Sequence, residues 1–135
     1  MQTQHDPEIH NFLREHLDAI LKNDIAAYHQ STHEELTLYE WWVTPHRIDG
    51  LLFHDFMMAE NARRGTVFGA EAGERHVRFD LANLHIQRYG DTAIASYTLL
   101  ISNGTDEGVR VSAHNESRVM VKFPDGWKVV HVHKS

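Results

Sequence analysis

The sequence predicts an α+β fold, a cone in which N-terminal helices pack on a strongly bent antiparallel sheet and enclose a pocket. Three observations predict it. Apolar residues recur at helical spacing near the N-terminus, nearly everything after Arg75 alternates with strand period, and that alternation changes parity once, after Leu81. A change of parity is what one extra residue in a β-bulge produces, and a bulge bends a sheet.

The elements follow in order. Asp6-Pro7 reads as an N-cap followed by proline at the first helical position, and Ile9, Phe12, Leu13, His16, Leu17, Ile20 and Leu21 continue as an amphipathic helix. Asn23-Asp24 interrupts it and caps a second, short helix marked by Ile25, Tyr28 and Thr32, with Tyr28 facing inward. Leu36 to Trp42 is aromatic and β-prone, a strand; Pro45 then imposes a loop. A third helix is expected from Leu51 to about Arg63, with Leu52, Phe53, Phe56 and Met57 as its apolar stripe and Gly65 as its stop, before a glycine-containing loop from Thr66 to Glu74.

The strands come next. Val77, Phe79 and Leu81 are apolar on odd positions, whereas Ala82, Leu84 and Ile86 are apolar on even ones, which places the bulge. Thr92 to Ile101 is apolar on both parities, as in a strand covered on two sides. Val109 to Phe123 alternates again, and a three-residue loop, Pro124-Asp125-Gly126, leads into the last strand at Trp127. That loop pairs Phe123 with Trp127, Val121 with Val129 and Val119 with His131 on one face. Met120 and Val130, Arg118 and Val132, Glu116 and Lys134 then share the other face; a two-residue loop would slip the register and mix them.

Length and composition narrow the function. A chain of 135 residues fits a single domain, 1–135, able to bury a core, and 41% hydrophobic with 24% charged residues is ordinary for a folded globular protein. No apolar run approaches the roughly 18 residues that span a bilayer, and the opening MQTQHDPEIHNF lacks a basic leader or an apolar signal core, so a cytoplasmic protein without a membrane partner is expected. The absence of cysteine excludes disulfides, thiolate catalysis and Cys-ligated zinc. A formal net charge of −6 disfavours nucleic acid as a partner. Twelve histidines are the compositional oddity.

The charged face of the C-terminal hairpin has two readings. It is a solvated surface with a cross-strand ion pair between Glu116 and Lys134, or it looks into the hollow. In the second reading the Arg118 guanidinium suits a carboxylate, because its planar fork donates two parallel hydrogen bonds.

Three stretches resemble the association, or hub, domain of calcium/calmodulin-dependent protein kinase II. ESRVMV with DGWKVVHVHKS resembles its E-T-R-V-W, D-G-K-W and V-H-F-H-R-S hairpin; FHDFMMAENA, residues 53–62, resembles its F-H-x-F…E-N helix; LTLYE, residues 36–40, resembles its L-T-x-F-E strand. The wider group is the nuclear-transport-factor-2-like, or SnoaL-like, cone fold. The resemblance implies self-association, at least a dimer, and a pocket that accepts small carboxylates. Carried over by position, the pocket residues are Arg118, Lys134 and His54, with Glu116, Tyr28 and Tyr97 around them. Lys134 stands where the family has arginine, and Leu99 where a further arginine is expected, which implies a less cationic pocket.

Other constellations compete. His131-x-His133 puts two imidazoles on one side of a strand, where His85 or His76 could complete a zinc site, although the pair also suits packing at a subunit interface; no metal or cofactor enters the reading. The cone fold also hosts enzymes, and an isomerase, cyclase, dehydratase or hydrolase acting on a small carbonyl or polycyclic substrate needs a base near neutral pH. Glu116 is a poor base beside Arg118 and Lys134, and Asp80 faces away from Phe79 and Leu81, which leaves His54 and His114 as candidate catalytic residues. The leading expectation is a non-enzymatic, oligomerising protein that binds a small anionic molecule; the SnoaL-like enzyme is the alternative.

Overall fold

Helix α1 (Pro7–Leu21) opens as its capping signal dictates: the Asp6 carboxylate accepts the Ile9 backbone N–H at 3.2 Å, and Pro7 occupies the first turn. The structure is a computed structural model and describes residues 6–64 and 76–135. Ile9, Leu13, His16 and Leu17 form the buried stripe of α1. Asn23, in the left-handed region at φ 60°, ends that helix, and Asp24 caps α2 (Ile25–Gln30) through the Ala27 N–H. Tyr28 is buried on the inner side, as expected.

Six strands make one strongly curved, open sheet in the order β2-β1-β6-β5-β4-β3. They are β1 (Thr32–Glu40), β2 (Thr44–Asp49), β3 (His76–Tyr89), β4 (Thr92–Thr105), β5 (Gly108–Phe123) and β6 (Gly126–Lys134). Every neighbouring pair is antiparallel except β1 with β6, so the sheet is not purely antiparallel.

The N-terminal strands differ from expectation. Thr32 begins β1 rather than closing α2, and β1 stops at Glu40, leaving Trp41, Trp42 and Val43 in the turn to β2. Pro45 lies within β2, not in a loop; β2 is an edge strand, where a missing N–H costs no ladder bond. Helix α3 (Leu52–Arg64) buries Met58, while Leu52 and Phe56, half of the expected stripe, point outward at 84% and 62% exposure. The expected stop at Gly65 and the loop 66–74 lie outside the described residues.

The bend is where the parity change puts it. The β3–β4 register shifts between Ala82 and His85, Asn83 adopts φ 56°, and the inward residue moves from Phe79 to Ile86. On β4, Ala93, Ala95, Tyr97, Leu99 and Ile101 are buried, whereas Ile94, Ser96, Thr98 and Leu100 on the outer side are only half-buried. One side of β4 is therefore fully covered within the protomer, not two.

The C-terminal hairpin corrects the expected register near its turn. The loop has two residues, Pro124 and Asp125, so that Phe123 pairs with Gly126, Lys122 with Trp127 and Met120 with Val129. Val130 then bulges, which restores the expected pairs Val119–His131, Arg118–Val132 and Glu116–Lys134. The two irregularities compensate. Trp127 and Val129 consequently lie on the inner face with Met120 and Arg118, not with Val121 and Phe123.

Candidate functional site

The curvature of the sheet under α1, α2 and α3 leaves a hollow with two chambers. A deep chamber of about 40 Å³ and an outer cleft of about 330 Å³ both reach Ile20, His54, Met58, Arg118 and Lys134. Even-numbered β5 residues face this space, which is why Glu116 and Arg118, each 3% exposed, sit among the core side chains.

Arg118 is the hub of a hydrogen-bond network. Its Nε–H donates to the Tyr97 hydroxyl at 2.9 Å and to Glu116 Oε1 at 3.2 Å, and an Nη1–H donates to His16 Nε2 at 3.0 Å. The Tyr97 O–H in turn donates to Glu116 Oε1 at 2.6 Å. Burial alone would push the Glu116 carboxyl up; the Arg118 charge and the His114 hydrogen bond outweigh it and hold the group well below the usual carboxylate range. Burial would likewise depress the Arg118 guanidinium, but Tyr97 and Glu116 hold it charged. Since Glu116 is ionised and can only accept, His114 Nε2, 2.6 Å from Oε2, carries the proton.

The same logic fixes His16. Burial, and then the nearby Arg118 charge, push its imidazole well below the ordinary histidine value, so the ring is neutral. Nε2 accepts from Arg118, and therefore Nδ1–H donates to the Ser31 hydroxyl at 2.7 Å. Both ring nitrogens are committed.

A second arm runs along β1 and α3. Lys134 Nζ donates to Glu40 Oε2 at 3.3 Å, His54 Nε2 lies 3.2 Å from Glu40 Oε1, and the Tyr28 hydroxyl lies 2.8 Å from His54 Nδ1. Burial pushes Glu40 up, but His54 and Lys134 bring it below the ordinary carboxylate value. Burial raises Tyr28, so its hydroxyl stays protonated and donates to His54 Nδ1, leaving Nε2–H for Glu40. At the mouth, half-exposed Trp42 lies with its ring 5.3 Å from Lys134 Nζ and its centroid 5.3 Å from that of His114.

Two cations, Arg118 and Lys134, thus face two carboxylates, Glu40 and Glu116, and the network is formally neutral. Its hydrogen bonding is not balanced. Each carboxylate oxygen already accepts, whereas the Lys134 ammonium, with three donors, makes one hydrogen bond among the described residues. The buried Thr32 Oγ1, on the wall of the deep chamber, makes no well-formed hydrogen bond, although the Tyr28 hydroxyl lies close enough to feel it. Donors are in surplus.

The residues expected in the pocket, Arg118, Lys134, Glu116, His54, Tyr28 and Tyr97, come together in this network. Arg118, Lys134, His54 and Tyr28 line the deep chamber; Glu116 reaches the outer cleft, and Tyr97 braces Arg118. His114 also lines the outer cleft. Sequence reasoning missed His16, Glu40, Thr32 and the placement of Trp42. The signals existed: His16 is a polar residue inside the apolar stripe of α1, and Glu40 continues the parity of Leu36 and Leu38. Of the competing groups, His131 and His133 lie on the outer face, where His131 Nδ1 meets Thr37 Oγ1 at 2.7 Å, and Trp127 is on the inner face with its indole N–H on Glu8. Among the described residues no group of three or more His, Asp or Glu is arranged to hold a metal ion, and the His76 side chain lies outside them. Asp80 pairs with Arg78. No described helix is long and apolar enough to cross a membrane.

Comparison with known proteins gives the geometry a context. Similar solved structures include the association domain of calcium/calmodulin-dependent protein kinase II from C. elegans, with 26% identity, TM-score 0.78, and 96% of this chain and 93% of that chain covered. The S. rosetta hub has 26% identity and TM-score 0.76 over 97% of this chain and 95% of that one. A putative ketosteroid isomerase from Shewanella frigidimarina, 20% identical with TM-score 0.67 over 93% and 92% of the two chains, shares the fold. No curated protein matches the chain. The model of the calcium/calmodulin-dependent protein kinase II association domain matches residues 5–135, and the chain belongs to that family.

Proposed function

We propose that the chain is a self-associating domain, at least dimeric and cytoplasmic, whose hollow binds a small carboxylate without turning it over. The observation that carries the ligand reading is the surplus of buried donors: Lys134, Arg118 and the Thr32 hydroxyl converge on one small chamber that no carboxylate lines. An anionic oxygen entering there meets charge-assisted donors in a water-poor site. Self-association is supported by family membership and by the outer face of the sheet, where half-buried Leu100 pairs with Ala113 and Val111 and Val109, exposed at 58% and 72%, continue the same side of β5. A copy of the same chain would cover that face.

Thermal shift with small carboxylates tests the reading. Wild-type protein gains stability with acid concentration, and Arg118→Gln loses that gain. An unchanged melting temperature across the series would refute it.

A second reading, an enzyme acting on a small carbonyl compound, is favoured by one observation. Both nitrogens of His54 are engaged, whereas His114 is held through Nε2 against Glu116, an orientation that turns Nδ1 into a potential base at the outer cleft. A bell-shaped rate profile that disappears in His114→Gln would establish it over simple binding.

A further inference from the structure

The outer face of the sheet has a charge pattern that the hollow does not explain. On β1, β6, β5 and β4 the outward residues from the row Thr37, His131, Val119 and Ile94 to the far end of β5 at Val109 include no Lys, Arg, Asp or Glu, although the chain carries a net charge of −6. Charge returns below that row at Glu35 and Lys128, and at both edge strands, where it cancels locally. Arg47 donates to Asp49 at 2.7 Å on β2, and Arg78 donates to Asp80 at 3.1 Å on β3. A centre depleted of charge inside a polar rim is the composition of an interface. The charge balance also identifies the occupant: two acidic copies repel each other except through such a centre, and a two-fold contact presses one patch against the same patch of its copy.

Two titratable imidazoles stand inside that centre. His131 and His133 occupy successive outward positions of β6; His131 is half-buried with Nδ1 2.7 Å from the Thr37 hydroxyl, and the Tyr39 ring lies 6.2 Å from one imidazole and 5.3 Å from the other. No carboxylate pairs with either ring. β5 presents Ser117 and Val119, β1 presents Thr37 and Tyr39 with Glu35 one outward position further on, and β2 presents Asp49 already bound to Arg47; His85 is three strands away on β3. Burial, and then the neighbouring His133, hold His131 below the ordinary histidine value. We propose that this face is the contact between two copies of the chain and that protonation of His131 and His133 opens it. The step rests on the self-association reading above and adds its control. Closed, the contact keeps four neutral imidazoles in a water-poor layer; a proton on any of them leaves a buried charge with no acid opposite, and a second proton adds a like charge beside it.

Sedimentation and light scattering of the full chain between pH 7.5 and 5.5 test the proposal, with circular dichroism at each pH to follow the fold. The dissociation constant between copies should rise at least about tenfold as pH falls across that range while the chain stays folded. His131→Gln with His133→Gln keeps hydrogen-bonding groups that cannot charge, and should hold the pH 7.5 molar mass at pH 5.5. His133→Gln alone, at an exposed position, should lessen the rise. His133→Arg carries a permanent charge and should dissociate already at pH 7.5. A molar mass that does not change with pH, or a double variant that dissociates together with wild type, overturns proton control while self-association stands. His133→Arg associating as tightly as wild type would place the contact elsewhere. A chain that is monomeric at pH 7.5 at every concentration refutes the self-association reading itself.

Discussion

Arg118 on β5 donates a hydrogen bond to His16 on α1 at 3.0 Å, joining residues 102 positions apart in the sequence. This contact locks the helical layer to the sheet at the base of the hollow and fixes the charge and tautomer of the histidine. Breaking it should cost more than a surface contact would. Arg118→Ala leaves a buried Glu116 carboxylate without its guanidinium and His16 without its donor, a loss of about 3 to 5 kcal/mol in urea denaturation.

His16 makes stability pH-dependent near neutrality. Its folded-state value is depressed below the ordinary 6.5, so the unfolded chain binds the proton more readily, and stability present above pH 6.5 declines as pH falls below it. Between pH 7.5 and 5.5 His16 alone accounts for about 1 kcal/mol. Denaturation midpoints at the two pH values should differ less in His16→Gln than in wild type.

Glu116 acts in a lower window. Because its folded value is depressed, its stabilisation is present above pH 4.5, the ordinary glutamate value, and is lost as pH falls toward the depressed value. Glu116→Gln should flatten the acid limb of the stability curve below pH 4.5 while lowering stability at pH 7.

Glu40→Gln separates stability from binding. It removes one of two carboxylates from a neutral network and frees Lys134 from its partner, so stability falls by about 1 to 3 kcal/mol. Affinity for small acids should rise by about threefold or more, measured by calorimetry at low salt.

The outer face offers a test of assembly. Val111→Asp places a carboxylate on exposed β5 surface, where it cannot disturb the hollow, and should lower the molar mass seen by light scattering with little change in protomer stability.

What could be read from the sequence divides along physical lines. Asp6-Pro7 and the parity change after Leu81 are local signals, and they placed α1 and the bend correctly. The inward orientation of Arg118 depended on a resemblance, because alternation alone does not say which face is inside. The hairpin register escaped because Lys128-Val129-Val130-His131 has valines on both parities, so the bulge at Val130 leaves no pattern. Helix α3 is apolar almost all round from Leu52 to Met58, and only tertiary contact selects Met58 over Phe56. Glu40 was hidden for a different reason. An acid at a strand end looks solvated until Lys134, 94 residues away, is brought beside it by the parallel pairing of β1 and β6.

The most direct measurement compares phenylacetate with its neutral amide by calorimetric titration against the wild-type chain at pH 7. Phenylacetate is predicted to bind at least about tenfold more tightly, because the spare donors at Lys134, Arg118 and Thr32 are charge-matched to a carboxylate. Equal affinity for the two, or no binding of either, would contradict the account.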